Sequence, residues 1–252
     1  MSEKNERRNF LKGLGLVAVS VGLGTVAEPP GLMAEAQAPV PTVPEMKMPA
    51  ATNNMSSYTY VFFNPVEIAF IEAAVARLIP KDDSGPGALE AGVSYYIDGQ
   101  LASWYGEAGR WYWQGPWQQG TPQQGYQLPL KPSELYRAAI PLINEVTQKQ
   151  SKADFADLKP DQQDKVLSGL EKGDIDLGRI PGRIFFAFLL QNTKEGFFAD
   201  PTYGGNAQMV GWKLIGYPGV QPSYAQIIDQ YKTPFTAPPT SISNFTDDPP
   251  RL

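Results

Sequence analysis

The sequence predicts a mainly α-helical protein, with a compact helical domain, long ordered loops and extended N- and C-terminal arms. Several segments carry apolar residues at the three- and four-residue spacing of one helix face, and proline or glycine stands at their ends. No segment of any length alternates apolar and polar residues as a half-buried strand does. Proline-rich stretches without a period lie at residues 39–57 and 220–252, which we interpret as the two arms.

The N-terminus resembles a twin-arginine export signal. Residues 6–12 read ERRNFLK and precede the apolar run GLGLVAVSVGLGTVA, which fits the pattern S/T-R-R-x-F-L-K except that Glu6 replaces the hydroxyl residue. The residues that fit are Arg7, Arg8, Phe10, Leu11 and Lys12. A membrane span needs about 20 apolar residues, so this shorter run favours a cleaved signal over residues 1–38. An uncleaved amphipathic N-terminus is the alternative.

Two further features of the leader bear on its interpretation. The triplets Ala34-Glu35-Ala36 and Ala36-Gln37-Ala38 each provide the small residues of a cleavage site. Residues 13–18 also match the dinucleotide pattern G-x-G-x-x-A, but a charged leader rather than a strand precedes them and no βαβ pattern follows. We therefore assign no cofactor to this run.

The composition excludes several classes of function. Residues 1–38 contain four basic and four acidic residues, so the remaining chain keeps the net charge of -5, and an acidic chain without a basic stripe is a poor candidate for nucleic acid. The absence of cysteine excludes disulfides, thiolate metal sites and attached c-type haem. The absence of histidine removes the commonest general base and metal ligand. Most oxidoreductase chemistry is therefore closed to this chain acting alone.

The first two helices of the domain 58–219 follow from local patterns. Asn64 is a predicted N-cap, with Pro65 at the first helical position and Glu67 completing a capping box, and the helix should stop at Pro80. A second helix is expected from Ala88 to about Trp104. The intervening Asp82 and Asp83 lack the oxygen spacing of a calcium loop, so the segment is interpreted as a solvated turn rather than a metal site.

Residues 104–127 form a long predicted loop with four tryptophans and three tyrosines among glycine, glutamine and proline. No helical or strand period organises them, and long ordered loops are commonly functional. Because Trp and Tyr are enriched at binding hot spots, we predict that Trp111, Tyr112, Trp113 and Trp117 contact a partner protein. A local core beneath the loop and a sugar-stacking platform are the alternatives.

Three more helices complete the predicted domain. Residues 131–150 carry a helix that Pro141 should kink, and residues 161–172 carry a helix opened by Pro160 and closed by Gly173. The dense apolar run from Ile184 to Phe198 predicts a buried central helix. Turn residues then follow at 200–206, where the paired glycines permit a positive φ or a close backbone approach.

Three blocks of the sequence resemble the gluconate 2-dehydrogenase small-subunit family. The blocks are RLIPKDDSGPGALEAGVSYYIDGQLA, GPWQQGTPQQGYQLPLKPSELYR and FFADPTYGGNAQMVGWKLIGYPG, and the resemblance runs from about Phe70 to Gly219. It implies a non-catalytic accessory subunit of a membrane-bound sugar or sugar-acid dehydrogenase, an oxidoreductase acting on CH–OH donors, with no catalytic residue, cofactor or metal on this chain. Within the third block, Tyr203 and Trp212 are predicted to contact the partner.

The resemblance also implies what the partners carry. A large catalytic subunit of the GMC type holds the FAD, and a multihaem cytochrome c subunit commonly passes electrons onward. The small subunit bears the export signal for the twin-arginine (Tat) translocase, and the folded flavoprotein travels with it to the periplasm, where the complex associates with the inner membrane. The cofactor that requires folded export would then lie in the partner, which explains an export signal on a chain without histidine or cysteine.

Two other functions remain open from the residues. A stand-alone exported glycosidase would use paired carboxylates, for which Glu195 and Asp200 are candidates in a cleft lined by the aromatic residues. A periplasmic carbohydrate-binding protein would use the aromatic loop alone, but it would leave folded export unexplained. Neither alternative identifies a sugar.

Overall fold

A computed structural model of the chain describes residues 58–118, 120–230 and 232–245. This part of the chain is mainly helical, as predicted, and its only sheet is a two-stranded antiparallel hairpin of β1 (Asp176–Leu177) and β2 (Ile180–Pro181). Its α-helices are α1 (Pro65–Leu78), α2 (Val93–Leu101), α3 (Pro132–Ser151), α4 (Pro160–Lys172), α5 (Gly182–Phe198) and α6 (Val210–Ile215). The predicted export signal and the linker up to residue 57 lie outside the described residues.

The capping box predicted at the start of α1 is confirmed. The Asn64 side-chain oxygen accepts hydrogen bonds from the backbone N–H groups of Val66 and Glu67, and Glu67 Oε2 accepts one from the Asn64 N–H at 2.9 Å. Glu67 is almost fully buried and forms an ion pair with Arg137 of α3. Arg137 also donates to the Phe62 carbonyl, so one guanidinium joins α3 to the beginning of α1.

Residues 58–63 are held against α2 by the buried carboxylate of Asp98. That carboxylate accepts hydrogen bonds from the Tyr58 hydroxyl at 2.9 Å and from the backbone N–H groups of Val61, Phe62 and Phe63 at 2.8 to 3.0 Å. Burial, and then the hydrogen bond to Asp98, raise the pKa of Tyr58 well above its usual range, so its hydroxyl remains a donor. A single carboxylate therefore fixes the backbone of residues 61–63 against α2.

The second helix is shorter than the sequence predicted. It begins at Val93 rather than Ala88, because Gly92 adopts a left-handed conformation with φ 72° and residues before it form turns. Val93, Ile97 and Leu101 face the core, whereas Leu89 precedes the helix and is 38% exposed, and Trp104 lies beyond its end and is 56% exposed. The turn at Asp82 is confirmed by the hydrogen bond that Ser84 N donates to its carboxylate at 2.7 Å.

The helices α3 and α4 agree with the predicted ranges to within about one residue. Pro141 lies inside α3, and Gly173 ends α4 in a left-handed conformation with φ 79°. The side chain of Arg77 on α1 makes a two-point contact with Asp164 on α4, at 2.9 and 2.7 Å. This contact joins the first and fourth helices at their outer edge.

The helix α5 is central, as its apolar sequence predicted. It packs against α2, α3, α4 and α6, and its buried positions include Phe185, Leu189 and Phe197. Gly196 allows α2 to approach, because a Cβ there would lie 2.8 Å from the Tyr96 ring. Deeper in the helix, Asn192 accepts a hydrogen bond from the fully buried Tyr136 hydroxyl at 2.8 Å.

We predict that Asp98→Ala lowers the free energy of unfolding by more than about 3 kcal/mol, because it leaves several partly or fully buried N–H groups without an acceptor. Urea denaturation of the purified chain measures the loss. Tyr58→Phe is the matched control, since it removes only one of the donors and should cost about 1 kcal/mol. Equal losses in the two variants would show that the backbone hydrogen bonds to Asp98 contribute little.

Candidate partner-binding surfaces

The tryptophans of the long loop pack on one another and on the central helix. The ring centroids of Trp113 and Trp117 lie 4.8 Å apart, and Trp111 lies 5.5 Å from Tyr126 and 6.0 Å from Phe188 of α5. Tyr126 and Phe188 are themselves 5.0 Å apart. The three tryptophans thus form a satellite aromatic cluster, which was one of the alternatives left open by the sequence.

The loop residues differ in how much of their surface remains free. Trp111, Trp113 and Trp117 are each half-buried in this cluster. Tyr112 points outward with 83% of its surface exposed, and its hydroxyl donates a hydrogen bond to Gln114, two residues along the chain. Of the four loop residues predicted to contact a partner, Tyr112 offers the largest free face in relative terms.

Tyrosines beneath the loop are held in a poorly hydrated environment. Burial raises the pKa of Tyr105 and Tyr126, and burial together with the charge of Glu195 raises that of Tyr96 to about 12. Asn192 donates to the Tyr105 hydroxyl at 3.1 Å and to Glu195 at 3.3 Å. These groups satisfy one another, so Glu195 serves a polar network inside the chain.

The sequence block that begins at Phe197 folds into a cap over the C-terminal end of α5. Asn206, fully buried with φ 48°, donates to the Ala199 carbonyl at 2.8 Å and accepts from the Gly211 N–H at 2.8 Å. Trp212 donates its indole N–H to the Phe198 carbonyl at 2.8 Å. The last carbonyls of a helix lack helical donors, and these two side chains provide them.

Trp212 therefore belongs to the internal packing of the chain. Only 4% of its surface is exposed, and its ring lies 5.2 Å from that of Tyr217. Tyr203, the other residue of this block that was predicted to contact the partner, is 56% exposed. Of these two residues predicted to contact a partner, Tyr203 presents a free face and Trp212 supports the surface from below.

The glycines of this block are required by close backbone contact. A Cβ at Gly205 would lie 2.2 Å from the Gly196 carbonyl oxygen, and one at Gly211 would lie 2.0 Å from the Phe197 carbonyl oxygen. Gly204 adopts φ 96°. Both roles that the sequence suggested for the paired glycines are confirmed, one by each residue.

Asp200 connects this block to the C-terminal segment. Its carboxylate caps the short helix at Pro201–Tyr203 by accepting from Thr202 N, and it accepts from Ser241 Oγ at 2.5 Å and Ile242 N at 2.8 Å. Backbone hydrogen bonds at Thr240 reinforce the connection. The predicted extended arm is thus tied back to the helical domain at residues 240–242.

Large exposed apolar side chains are concentrated in the same region. Thirteen are found among the described residues, and eight of them lie between 203 and 245, which is less than a quarter of those residues. These eight are Tyr203, Ile215, Tyr217, Tyr224, Ile228, Phe235, Ile242 and Phe245. Of these eight residues, only Tyr203 is predicted from the sequence to contact a partner. Residues 203–245 are poor in charged side chains and show no helical or strand periodicity. Such a sequence does not predict which of its apolar side chains stay exposed.

A groove of about 920 Å³ lies between the start of α1 and the second half of α3. Among its carboxylates, Glu67 is paired with Arg137, and Asp154 accepts from Gln148 at 2.8 Å. Glu145 also lines the groove. The glycosidase candidates Asp200 and Glu195 lie outside it and accept hydrogen bonds from Ser241 and Asn192.

A metal-ion site and a membrane-spanning helix are both absent from the part of the chain that the structure covers. No cluster of three or more acidic residues there has the arrangement to hold a metal ion. No helix within the same ranges has both the length and the apolar character to cross a membrane.

We predict that Asp200→Ala releases the C-terminal segment without unfolding the helical domain, since the carboxylate holds residues 241 and 242 through two of its three hydrogen bonds. Limited trypsin digestion followed by mass spectrometry should show faster cleavage after Lys232. The exposed Asp229 lies in the same segment, so Asp229→Ala is the matched control and should digest like the wild type. Unchanged cleavage in Asp200→Ala would mean that the Thr240 backbone contacts suffice.

Comparison with known proteins assigns the sequence of this region to one family. The sequence profile of the family described as gluconate 2-dehydrogenase subunit 3 matches residues 65–219, which is more than half of the chain. No curated protein and no solved structure gives a match. The matched range contains the aromatic loop, the central helix and its cap. The chain therefore belongs to the gluconate 2-dehydrogenase subunit 3 family.

Proposed function

We propose that this chain is the non-catalytic small subunit of a periplasmic, flavin-dependent sugar or sugar-acid dehydrogenase of the gluconate type. The family match over residues 65–219 carries the proposal, because a subunit of such a complex implies other subunits. The eight large exposed apolar side chains between Tyr203 and Phe245 support it, since exposed apolar groups that lie together mark interaction sites. The chemistry of the complex then belongs to its partners.

The partner proposed for this surface is a large FAD-containing subunit of the GMC type. A chain without histidine or cysteine offers no imidazole base and no thiolate or imidazole ligand, so the flavin and the proton transfer are assigned to the large subunit. Haem c is assigned to a third, cytochrome subunit for the same reason. Binding to the folded large subunit would stabilise it by mass action.

Export is the second proposed role. The twin-arginine signal at Arg7 and Arg8 would direct this chain to the Tat translocase, and the large subunit would cross the inner membrane already folded and bound to it. The complex would then act in the periplasm, next to the inner membrane. This proposal gives the export signal a purpose that the composition of the chain itself does not.

We predict that the chain purified alone is colourless and inactive toward gluconate with an artificial electron acceptor. Co-expressed with the large subunit of a gluconate 2-dehydrogenase from the same genome, the affinity-tagged chain should bring down a protein with flavin absorbance. The large subunit expressed without the tagged chain is the control for nonspecific binding to the resin. Flavin bound to the isolated chain, with turnover, would contradict the proposal.

We predict that Arg7→Lys combined with Arg8→Lys leaves both the chain and the large subunit in the cytoplasm, because the large subunit is expected to have no export signal of its own. Cell fractionation and immunoblotting of the two proteins measure the result. Lys4→Arg, a change of base outside the motif, is the control and should not alter export. A large subunit that still reached the periplasm would separate the export role from the subunit role.

A further inference from the structure

We propose that the large subunit docks mainly on the C-terminal surface formed by Tyr203, Ile215, Tyr217, Ile242 and Phe245, rather than on the tryptophan loop. The inference rests on the proposed function, and it assigns the contact to one side of the chain. Two of its five residues, Ile242 and Phe245, lie beyond the range that the family profile matches. The term C-terminal surface refers to these five residues from here on.

The C-terminal surface supplies a large part of the area that a stable complex needs. Its five residues are 39% to 56% exposed. At about 100 Å² of free surface each, they present roughly 500 Å², which is more than half of the about 800 Å² that a standard interface buries on each partner. The described residues of the loop offer much less free apolar area, since Trp104 and Tyr112 are the only large apolar side chains among them that are exposed.

The charge of the region favours a protein as its occupant. Residues 201–245 contain only three charged side chains, those of Lys213, Asp229 and Lys232. Depletion of charge with enrichment of aromatic residues is typical of the centre of a protein–protein interface. Anionic membranes are recognised by clusters of four or more basic residues, which this segment lacks.

The surface is also held in place before any partner binds. Trp212 and Asn206 fix its base on the end of α5, and Asp200 fixes Ile242 beside the Pro201–Tyr203 turn. Ile242 and Phe245 are three residues apart in one short 3-10 helix, and side chains at that spacing eclipse on the same side. A surface that is already ordered loses less conformational entropy on binding.

The tryptophan loop lacks this free surface. Trp113 and Trp117 face each other at 4.8 Å, and Trp111 contacts Tyr126 and Phe188. Much of their ring area is therefore already buried within the chain. Truncating these rings should reduce stability more than it reduces binding.

The test measures the affinity of the mature chain for the purified, FAD-loaded large subunit by biolayer interferometry. Tyr203→Ala, Ile215→Ala and Phe245→Ala should each weaken binding at least about fivefold, and the triple variant more than about thirtyfold. Val61→Ala is the matched control, because Val61 is an apolar residue outside the surface with 70% of its area exposed, and it should bind like the wild type. Thermal melting of each isolated variant checks that the fold is retained.

Tyr112→Ala provides the competing arm. If it weakens binding while the three C-terminal variants bind normally, the interface lies on the aromatic loop and the inference is overturned, although the proposed function stands. If the wild-type chain does not bind the large subunit at all, the proposed function fails instead. A variant that melts early is replaced by Ile215→Lys, which keeps the side-chain bulk and places a charge on the surface.

Two other occupants are outcomes of the same set of variants. If light scattering shows that the wild-type chain forms a dimer which the triple variant cannot form, the surface joins two copies and the inference is overturned. Sedimentation with phosphatidylethanolamine–phosphatidylglycerol vesicles that is lost in the triple variant would identify a membrane surface and overturn it equally. A monomeric chain that stays in the supernatant supports docking of the large subunit.

Discussion

The last carbonyl groups of the central helix must find donors, and much of the C-terminal half of the domain depends on how they do so. Trp212 donates to the Phe198 carbonyl and Asn206 to the Ala199 carbonyl, each at 2.8 Å. Buried carbonyls without donors cost about 1 to 3 kcal/mol each, so the chain is held against the helix end where these side chains reach it. Gly205 and Gly211 permit the close approach that this requires.

The cap in turn creates the exposed surface. The chain is folded back over the end of the helix by Asn206 and Trp212, and it therefore leaves Tyr203, Ile215 and Tyr217 on its outer side. Asp200 then binds residues 241 and 242 and brings a further segment to the same place. The need of the last α5 carbonyls for donors thus explains why Trp212 is buried and Tyr203 is left outside. The exposed residues are those that the proposed complex would use.

The proposal assigns catalysis to the partner subunits because of the side-chain chemistry of this chain. The domain uses its buried acids structurally: Asp98 fixes residues 58–63, and Glu67 pairs with Arg137 at the start of the first helix. Because the chain contains no imidazole or thiol, the proposed function assigns the flavin chemistry to the other subunits. The family to which the chain belongs is named for a subunit, which agrees with this assignment.

The sequence by itself determined the helical class, the capping box at Asn64, the ends of most helices and the family. These features depend on residues close together in the chain, such as Asn64 with Glu67 or Gly173 after the fourth helix. Only the tertiary structure decided which aromatic residues are free. Trp212 and Tyr203 belong to one block, yet one is buried and the other exposed, because only the folded chain brings the indole N–H to the helix end fourteen residues earlier. The same holds for Asp200, whose partners lie about forty residues away and carry no local signal.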